Sequence, residues 1–146
     1  MAQGAGMPNE ATLKAWLREH GLRSTRWRCE VLRILWGASA PISHQELTEA
    51  LGDTEIDRAT VYRNLVTLVE AELVRRIDLG DHVWRFELTE RQDHTKPPQH
   101  PHFLCTVCGQ VRCLDEIGMD VPSSDDSTFV ASITDVVVRG FCQECN

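Results

Sequence analysis

Two cysteine pairs of identical spacing, Cys105/Cys108 and Cys142/Cys145, constrain the fold of this 146-residue chain more than any other feature. Two thiolates in a Cys-x-x-Cys stretch lie on one tight turn, and two such turns brought together surround a structural Zn²⁺ ion tetrahedrally. The rear of the chain is short, so a bound metal would supply much of the free energy that folds it. The spacing therefore predicts a four-thiolate zinc site, and redox thiols, a disulfide pair or a four-thiolate iron site are the alternatives.

The composition indicates a cytoplasmic protein with an uneven charge. No run of about 18 apolar residues, the length that spans a membrane, is present, and the first eight residues lack the basic and apolar segments of a signal peptide. We therefore expect no membrane partner, and a cytoplasmic location in which thiols stay reduced. The formal net charge is −7, but basic residues outnumber acidic ones between Lys14 and Arg33.

Helix-start signals divide the first seventy residues into four helices. The expected N-caps are Asn9, Ser24 or Thr25, Ser43 and Asp57. Ser43 is followed three residues later by Glu46, which predicts a capping box. The fourth helix carries one apolar stripe, formed by Val61, Leu65, Leu68 and Val69. We expect Cys29 to lie in the core, together with the four tryptophans Trp16, Trp27, Trp36 and Trp84.

A β-hairpin follows the helices. Residues 73–79 and 82–88 flank Gly80-Asp81, which predicts two strands joined by a two-residue turn. A run of helices followed by a two-stranded wing is the element order of a winged helix-turn-helix domain. In that domain the second helix of the helix-turn-helix pair reads the major groove of DNA. The wing residues expected to contact phosphates are Arg75, Arg76 and Arg85.

The segment 91–101 separates this front half from the cysteine-rich rear. Pro97-Pro98 excludes helix and central strand, so we place a linker there that also contributes metal ligands. The predicted domains are a winged-helix DNA-binding domain at 1–90 and a zinc-stapled domain at 102–146. The rear domain is rich in β-branched residues, which indicates strands, and the fold class is therefore α+β.

The polar face of the fourth helix is the predicted DNA-binding surface. Small, hydroxylic and guanidinium side chains lie opposite the apolar stripe, near the helix N-terminus, and such groups suit a major groove. A solvated helix face without a DNA role would show the same composition. The residues predicted to contact DNA are Arg58, Thr60, Tyr62 and Arg63.

Two histidines and one cysteine remain after the paired cysteines are assigned. In an extended strand His100 and His102 place both imidazoles on one side, and Cys113 reaches them if its strand pairs with theirs. Glu87 at the end of the wing is the expected fourth ligand, with the possible substitutes His82, His94 and His44. A metal bound there would couple its occupancy to DNA binding, whereas solvated histidines and a small core cysteine are the alternative.

Four segments together resemble the ferric uptake regulator family of bacterial metal-sensing repressors. They are ATVYRNL at 59–65, RFELT at 85–89, HPHFLCTVCGQV at 100–111 and GFCQEC at 140–145. The resemblance implies a winged-helix domain, a small α/β dimerisation domain, and a homodimer that binds double-stranded DNA at a palindromic operator. It also implies a structural Zn²⁺ at the four paired cysteines and a regulatory metal at Glu87, His100, His102 and Cys113. No catalytic constellation stands out, so we expect no enzyme activity.

The choice of metal depends on Cys113, which stands where many family members carry Glu or Asp. A thiolate beside imidazoles favours Zn²⁺ over Fe²⁺ or Mn²⁺, which prefer oxygen ligands. The sequence therefore predicts a zinc-sensing repressor of metal uptake genes. An iron- or peroxide-sensing member of the family is the alternative, and a rubredoxin-like or thiol redox protein is the alternative of another class.

Overall fold

The computed structural model describes residues 6–52, 55–89, 100–114 and 135–146, within two compact units that comprise residues 2–91 and 92–146. Both helices and sheets are present, which confirms the α+β class. His94, the proline pair at 97–98 and residues 115–134 of the predicted rear domain lie outside the described residues. None of the described helices has both the length and the apolarity needed to cross a membrane.

Within the part of the N-terminal unit that the structure describes, there are four helices and three strands. In chain order they are α1 (Glu10–Glu19), α2 (Arg26–Gly37), β1 (Ile42–Ser43), α3 (His44–Leu51), α4 (Arg58–Glu70), β2 (Val74–Asp78) and β3 (Trp84–Leu88). The N-caps are Asn9, Thr25, Ser43 and Asp57 as predicted, and each side chain accepts a backbone N–H at 2.7 to 3.4 Å. Glu46 accepts from the Ser43 N–H at 2.7 Å and completes the capping box.

The core of this unit lies between the four helices and one face of the sheet. The α4 stripe is confirmed, because Val61, Leu65 and Leu68 are fully buried and Val69 packs against them. Cys29 is also buried, as predicted. The rings of Trp16 and Trp36 pack at the edge of this core with centroids 5.4 Å apart. Burying this apolar stripe fixes which face of α4 remains exposed.

The wing differs from the prediction in its strands and in its turn. β1 pairs antiparallel with β3, so the sheet has three strands in the order β1-β3-β2. Asp78 pairs with Trp84, which leaves residues 79–83 as the loop instead of a two-residue turn. The Asp78 carboxylate accepts from the Gly80 N–H at 2.7 Å, and Leu79 is buried. His82 adopts a φ of 62°, a conformation that a longer loop accommodates.

Two wing residues occupy environments opposite to those predicted. Arg85 is only 7% exposed, and its Nη1 donates to both carboxylate oxygens of Asp81 at 2.9 and 2.8 Å. The predicted phosphate contact of Arg85 is therefore wrong, because Arg85 shares a sheet face with the buried Ile77. Trp84 is 48% exposed, not in the core, and the Arg76 guanidinium lies 4.0 Å from its ring centroid.

The described residues of the C-terminal unit form a second sheet of three strands. Its strands are β4 (His102–Cys105), β5 (Val111–Cys113) and β6 (Val137–Gly140), in the order β5-β4-β6. β4 pairs antiparallel with β5 and parallel with β6. His102 lies opposite Cys113, which confirms the strand pairing on which the second metal prediction depends. The parallel pair places Cys105 opposite Gly140, two residues before Cys142.

Candidate metal centres and nucleic-acid interface

The four paired cysteines meet because of the pairing between β4 and β6. Cys105 and Cys108 lie on the turn that leaves β4, where the Gly109 N–H donates to the Cys105 carbonyl at 3.0 Å and Gly109 has a φ of 73°. The second turn follows β6, and the Cys145 N–H donates to the Cys142 carbonyl at 3.0 Å. The Thr106 N–H donates to the Gly140 carbonyl at 2.9 Å and joins the two turns.

The four sulfur atoms have the spacing of a tetrahedral metal site. All four lie within 4.8 Å of one another. The Sγ atoms of Cys108 and Cys142 are 3.8 Å apart, matching the separation of about 3.8 Å that Zn–S bonds of about 2.3 Å give in a tetrahedron. A disulfide needs about 2.05 Å, and all six cysteines are free thiols. The donor set therefore fits Zn²⁺ or another ion that accepts four thiolates.

The thiols of this cluster have pKa values displaced in opposite directions. Backbone N–H groups of Cys108, Cys142 and Val107 directed at the Cys105 sulfur lower its pKa to about 6. Hydrogen bonding to Cys142 and other neighbouring thiols raises the pKa of Cys145 to about 12. The backbone thus stabilises the thiolate of Cys105, whereas the neighbouring thiols oppose ionisation of Cys145. Four thiolates can coexist there only if a cation compensates their charge.

A second group of potential ligands lies at the start of β4 and the end of β5. His100, His102 and Cys113 each offer one ligand atom, and these atoms lie within 4.8 Å of one another. The two imidazole centroids are 4.8 Å apart at an interplanar angle of 70°. His102 is only 1% exposed, whereas His100 and Cys113 are partly buried. Two imidazoles and one thiolate form a mixed nitrogen and sulfur donor set of the kind that suits Zn²⁺.

The remaining predicted ligands have different surroundings. Glu87 lies on β3 of the N-terminal unit, where its Oε1 accepts from Arg75 Nε at 2.6 Å. His82 is exposed on the wing loop. The Nε2 of His44 hydrogen-bonds to the Arg58 carbonyl at 2.9 Å, and among the described residues neither His44 nor His82 belongs to a group that could hold a metal. Glu87 stays a prediction as the fourth ligand.

The predicted DNA-binding residues lie on the exposed side of α4. Arg58, Tyr62 and Arg63 are exposed, and Thr60 is partly exposed. The Arg63 guanidinium donates to the Thr60 hydroxyl at 2.9 Å, which holds it along the helix surface. Asp57 caps α4 through the Thr60 N–H at 2.7 Å, and hydrogen bonds from Thr60 lower the pKa of its carboxyl. The arrangement presents a guanidinium, a phenol and a hydroxyl at a helix N-terminus.

Comparison with known proteins gives a consistent picture. A model of the ferric uptake regulator family matches residues 19–125. The ferric uptake regulation protein of Campylobacter upsaliensis is 29% identical over 140 residues, which are 91% of this chain and 86% of that protein. The peroxide operon regulator of Bacillus subtilis (strain 168) is 28% identical over 135 residues, 89% and 88% of the two chains. The crystal structure of the Vibrio cholerae ferric uptake regulator superposes with a TM-score of 0.71 at 28% sequence identity. The superposition covers 88% of this chain and 98% of that chain.

Proposed function

This chain belongs to the ferric uptake regulator family of metal-responsive transcription regulators, which are not enzymes, and we propose that it is a repressor controlled by Zn²⁺. The observation that carries the choice of zinc is the donor set of His100, His102 and Cys113. A thiolate among imidazoles suits zinc better than Fe²⁺ or Mn²⁺, which favour oxygen ligands. Zinc-dependent repression of metal uptake genes is the regulatory output that we propose.

We assign a structural role to the four-thiolate site. Cys105, Cys108, Cys142 and Cys145 would hold one Zn²⁺ ion with no coordination position left for solvent. The ion would supply charge compensation for the converging thiolates and would join the turn after β4 to the turn after β6. The 3.8 Å separation between the Cys108 and Cys142 sulfurs supports this assignment. A closed site of this kind serves stability and is a poor sensor, because its metal exchanges slowly.

We assign the regulatory role to the mixed site. His100, His102 and Cys113 supply three ligands, and Glu87 is the proposed fourth. A site with fewer sulfur ligands is expected to release its metal when the supply falls. Metal binding there would raise DNA affinity by favouring the binding-competent conformation, and each 1.4 kcal/mol of such coupling is about a tenfold change in affinity.

We propose that α4 reads double-stranded DNA. Arg63 and Tyr62 are exposed near its N-terminus, and an arginine can bind guanine through two hydrogen bonds. A homodimer would present two copies of α4 to the two halves of a palindromic operator. The overall negative charge of the chain disfavours non-specific binding to DNA. Specific contacts from α4 are therefore expected to contribute a larger share of the binding free energy.

Fluorescence anisotropy with a duplex from the upstream region of the protein's own gene tests this function. The protein carrying only its tightly held metal is titrated with Zn²⁺, Mn²⁺ or, without oxygen, Fe²⁺. We expect Zn²⁺ to raise affinity for this duplex at the lowest free concentration, and Cys113→Ser to lose that response. Equal affinity with and without added metal would refute metal control, whereas a response to Fe²⁺ alone would refute the choice of zinc.

An iron- or peroxide-sensing role is the second candidate. It is favoured by the 28% identity to a Bacillus subtilis protein named for peroxide control, over 89% of this chain. The two candidates differ in their response to hydrogen peroxide. A peroxide sensor loaded with Fe²⁺ would lose DNA binding at peroxide concentrations that leave the zinc-loaded form unaffected. Equal sensitivity of the two loaded forms would remove the peroxide-sensing role.

A further inference from the structure

We propose that His44 is a positioning residue for DNA recognition: it holds the Tyr62 ring and the first turn of α4 in the orientation that meets DNA. The inference rests on the proposed function, because it takes α4 as the reading helix. Neither the sequence patterns nor the family match assigns this role to His44. It follows from two contacts that the fold creates between α3 and α4, which join His44 to Arg58 and to Tyr62, fourteen and eighteen positions later in the sequence.

His44 is itself held in place at the beginning of α3. It follows the N-cap Ser43, whose hydroxyl and N–H both bond to Glu46. The His44 carbonyl accepts from the Thr48 hydroxyl at 2.8 Å. Ser43 also pairs with Arg85 across β1 and β3, so the backbone at this point belongs to both a sheet and a helix. The imidazole therefore projects from a well-anchored backbone.

The first contact is a hydrogen bond to the backbone of α4. The Nε2 atom of His44 lies 2.9 Å from the carbonyl oxygen of Arg58, the first residue of α4. A carbonyl oxygen only accepts, so Nε2 carries the proton and donates. This bond ties the N-terminus of α3 to the N-terminus of α4, where the predicted DNA-binding residues lie. The same proton makes Nε2 unsuitable as a metal ligand.

The second contact is between rings. His44 meets Tyr62 edge-on, with centroids 5.6 Å apart and an interplanar angle of 70°, which is a favourable geometry for aromatic pairs. Tyr62 is 45% exposed, so one side of its ring is supported while the other faces solvent. Restricting the ring before DNA arrives reduces the conformational entropy that is lost on binding. Histidine supplies both an N–H donor and an aromatic edge from one position. Gln would supply only the donor, and Phe would supply only the ring edge.

Tyr62 is the single tyrosine of the chain, which gives the proposal a direct readout. Full-length protein that carries zinc and 3-fluorotyrosine should show one ¹⁹F resonance, and its position reports the surroundings of the Tyr62 ring. We expect His44→Ala and His44→Gln to move this resonance toward its position in urea-unfolded protein. His44→Phe keeps a ring edge and should leave the resonance near the wild-type position. These measurements need no DNA.

DNA affinity is measured on the same variants, with the upstream duplex and with an unrelated duplex of equal length. We expect His44→Ala to weaken binding to the upstream duplex by about two- to tenfold, the range given by one aromatic pair. Binding to the unrelated duplex should not change, because phosphate contacts do not depend on the ring. His44→Phe should recover part of the loss. The matched control is His20→Ala, since His20 bonds to the Trp16 carbonyl at the end of α1 and should affect neither readout.

Three outcomes would overturn the proposal, and they are distinguishable. An unchanged resonance in His44→Ala would show that the ring contact is absent. A shifted resonance with unchanged affinity, while Tyr62→Ala still weakens specific binding, would refute the positioning role and leave the proposed function intact. If Tyr62→Ala itself had no effect on affinity, the proposed reading surface would be wrong and this inference would fail with it.

Discussion

At the scale of single residues, the proposed DNA contact of Arg63 depends on how its side chain is held. Its guanidinium donates to the Thr60 hydroxyl one turn earlier on α4, at 2.9 Å. This bond confines a long side chain that would otherwise lose considerable rotamer freedom on binding. The arginine is exposed, so its exchange should cost little in folding stability.

Arg63→Ala should therefore weaken DNA binding without unfolding the protein. Loss of a two-bond contact to a base costs about 1–3 kcal/mol, which corresponds to roughly 5- to 150-fold in Kd. Anisotropy titration with the upstream duplex measures this, while circular dichroism and metal content check the fold. Arg112→Ala, which removes an exposed arginine of the C-terminal unit, is the control. Equal binding by Arg63→Ala and wild type would disprove the assignment of α4 as the reading helix.

Cys113 is the residue on which the proposed metal selectivity depends. Cys113→Ser replaces a soft thiolate by a hydroxyl and leaves the four paired cysteines unchanged, so one zinc per chain should remain and a second should be lost. Metal analysis after gel filtration measures the stoichiometry, and anisotropy measures the accompanying loss of zinc-dependent DNA affinity. Cys29→Ser is the matched control, because Cys29 is buried in the N-terminal core. Retention of two zinc ions by Cys113→Ser would contradict the proposed ligand set.

At the level of elements, the loop at 79–83 determines the shape of the wing. It is held by the buried Arg85, which bonds to both carboxylate oxygens of Asp81. Burial raises the pKa of the Asp81 carboxyl, but hydrogen bonds and charge from Arg85 outweigh burial and lower the pKa below its ordinary value of 3.8. The ion pair therefore contributes stability above that ordinary value, and the contribution is lost as the pH falls through the lower pKa of the folded state.

Asp81→Asn should destabilise the N-terminal unit at neutral pH by about 2–3 kcal/mol, because a buried guanidinium loses its counter-charge. As the pH falls below the ordinary value of 3.8 and through the lower pKa of the folded state, wild type should lose stability that the variant never had, so the two curves converge. Urea unfolding followed by tryptophan fluorescence reports this unit alone, since all four tryptophans lie within residues 2–91. Glu70→Gln, which removes an exposed carboxylate, should instead run parallel to wild type. Parallel curves for Asp81→Asn would contradict this account of the loop.

At the level of the whole molecule, the two proposed sites should differ in how they release metal. Treatment with a chelator at neutral pH should remove one equivalent, together with the zinc-dependent DNA affinity, because the mixed site has fewer thiolates. The second equivalent should remain until acid or denaturant disrupts the four-thiolate site. Metal analysis and sedimentation velocity follow metal content and oligomeric state along the same titration. Simultaneous release of both ions would contradict the division into structural and regulatory sites.

Much of the fold and of both candidate metal sites follows from local sequence signals. The four N-caps, the capping box and the α4 stripe act over three to eight residues, and all are confirmed. The Cys-x-x-Cys spacing fixes each turn, so the convergence of four sulfurs could be expected once the sheet closed. The pairing of β4 with β5 was also predictable, because a short connection joins the two strands and brings His102 at the start of β4 opposite Cys113 at the end of β5.

Other features depended on contacts that no local pattern encodes. β1 has two residues and exists because Ile42 pairs with Phe86, 44 positions later in the sequence. Alternation along β3 places Trp84 on the same face as the buried Phe86 and Leu88, yet Trp84 at the start of the strand is exposed. Arg85 lies on the opposite face and is buried beside Ile77 and the carboxylate of Asp81 in the wing loop. The contact of His44 with Arg58 and Tyr62 requires α3 and α4 to pack first.

The sequence by itself thus determined the helices, the paired cysteine turns and the chemical identity of the ligands, because backbone capping and ligand chemistry act over short distances. Only the tertiary structure decided the length of the wing loop, the burial of Arg85 and the support of Tyr62 by His44. The physical reason is that burial and pairing depend on which distant segments come together. That choice is made by the sum of many weak contacts across the whole unit.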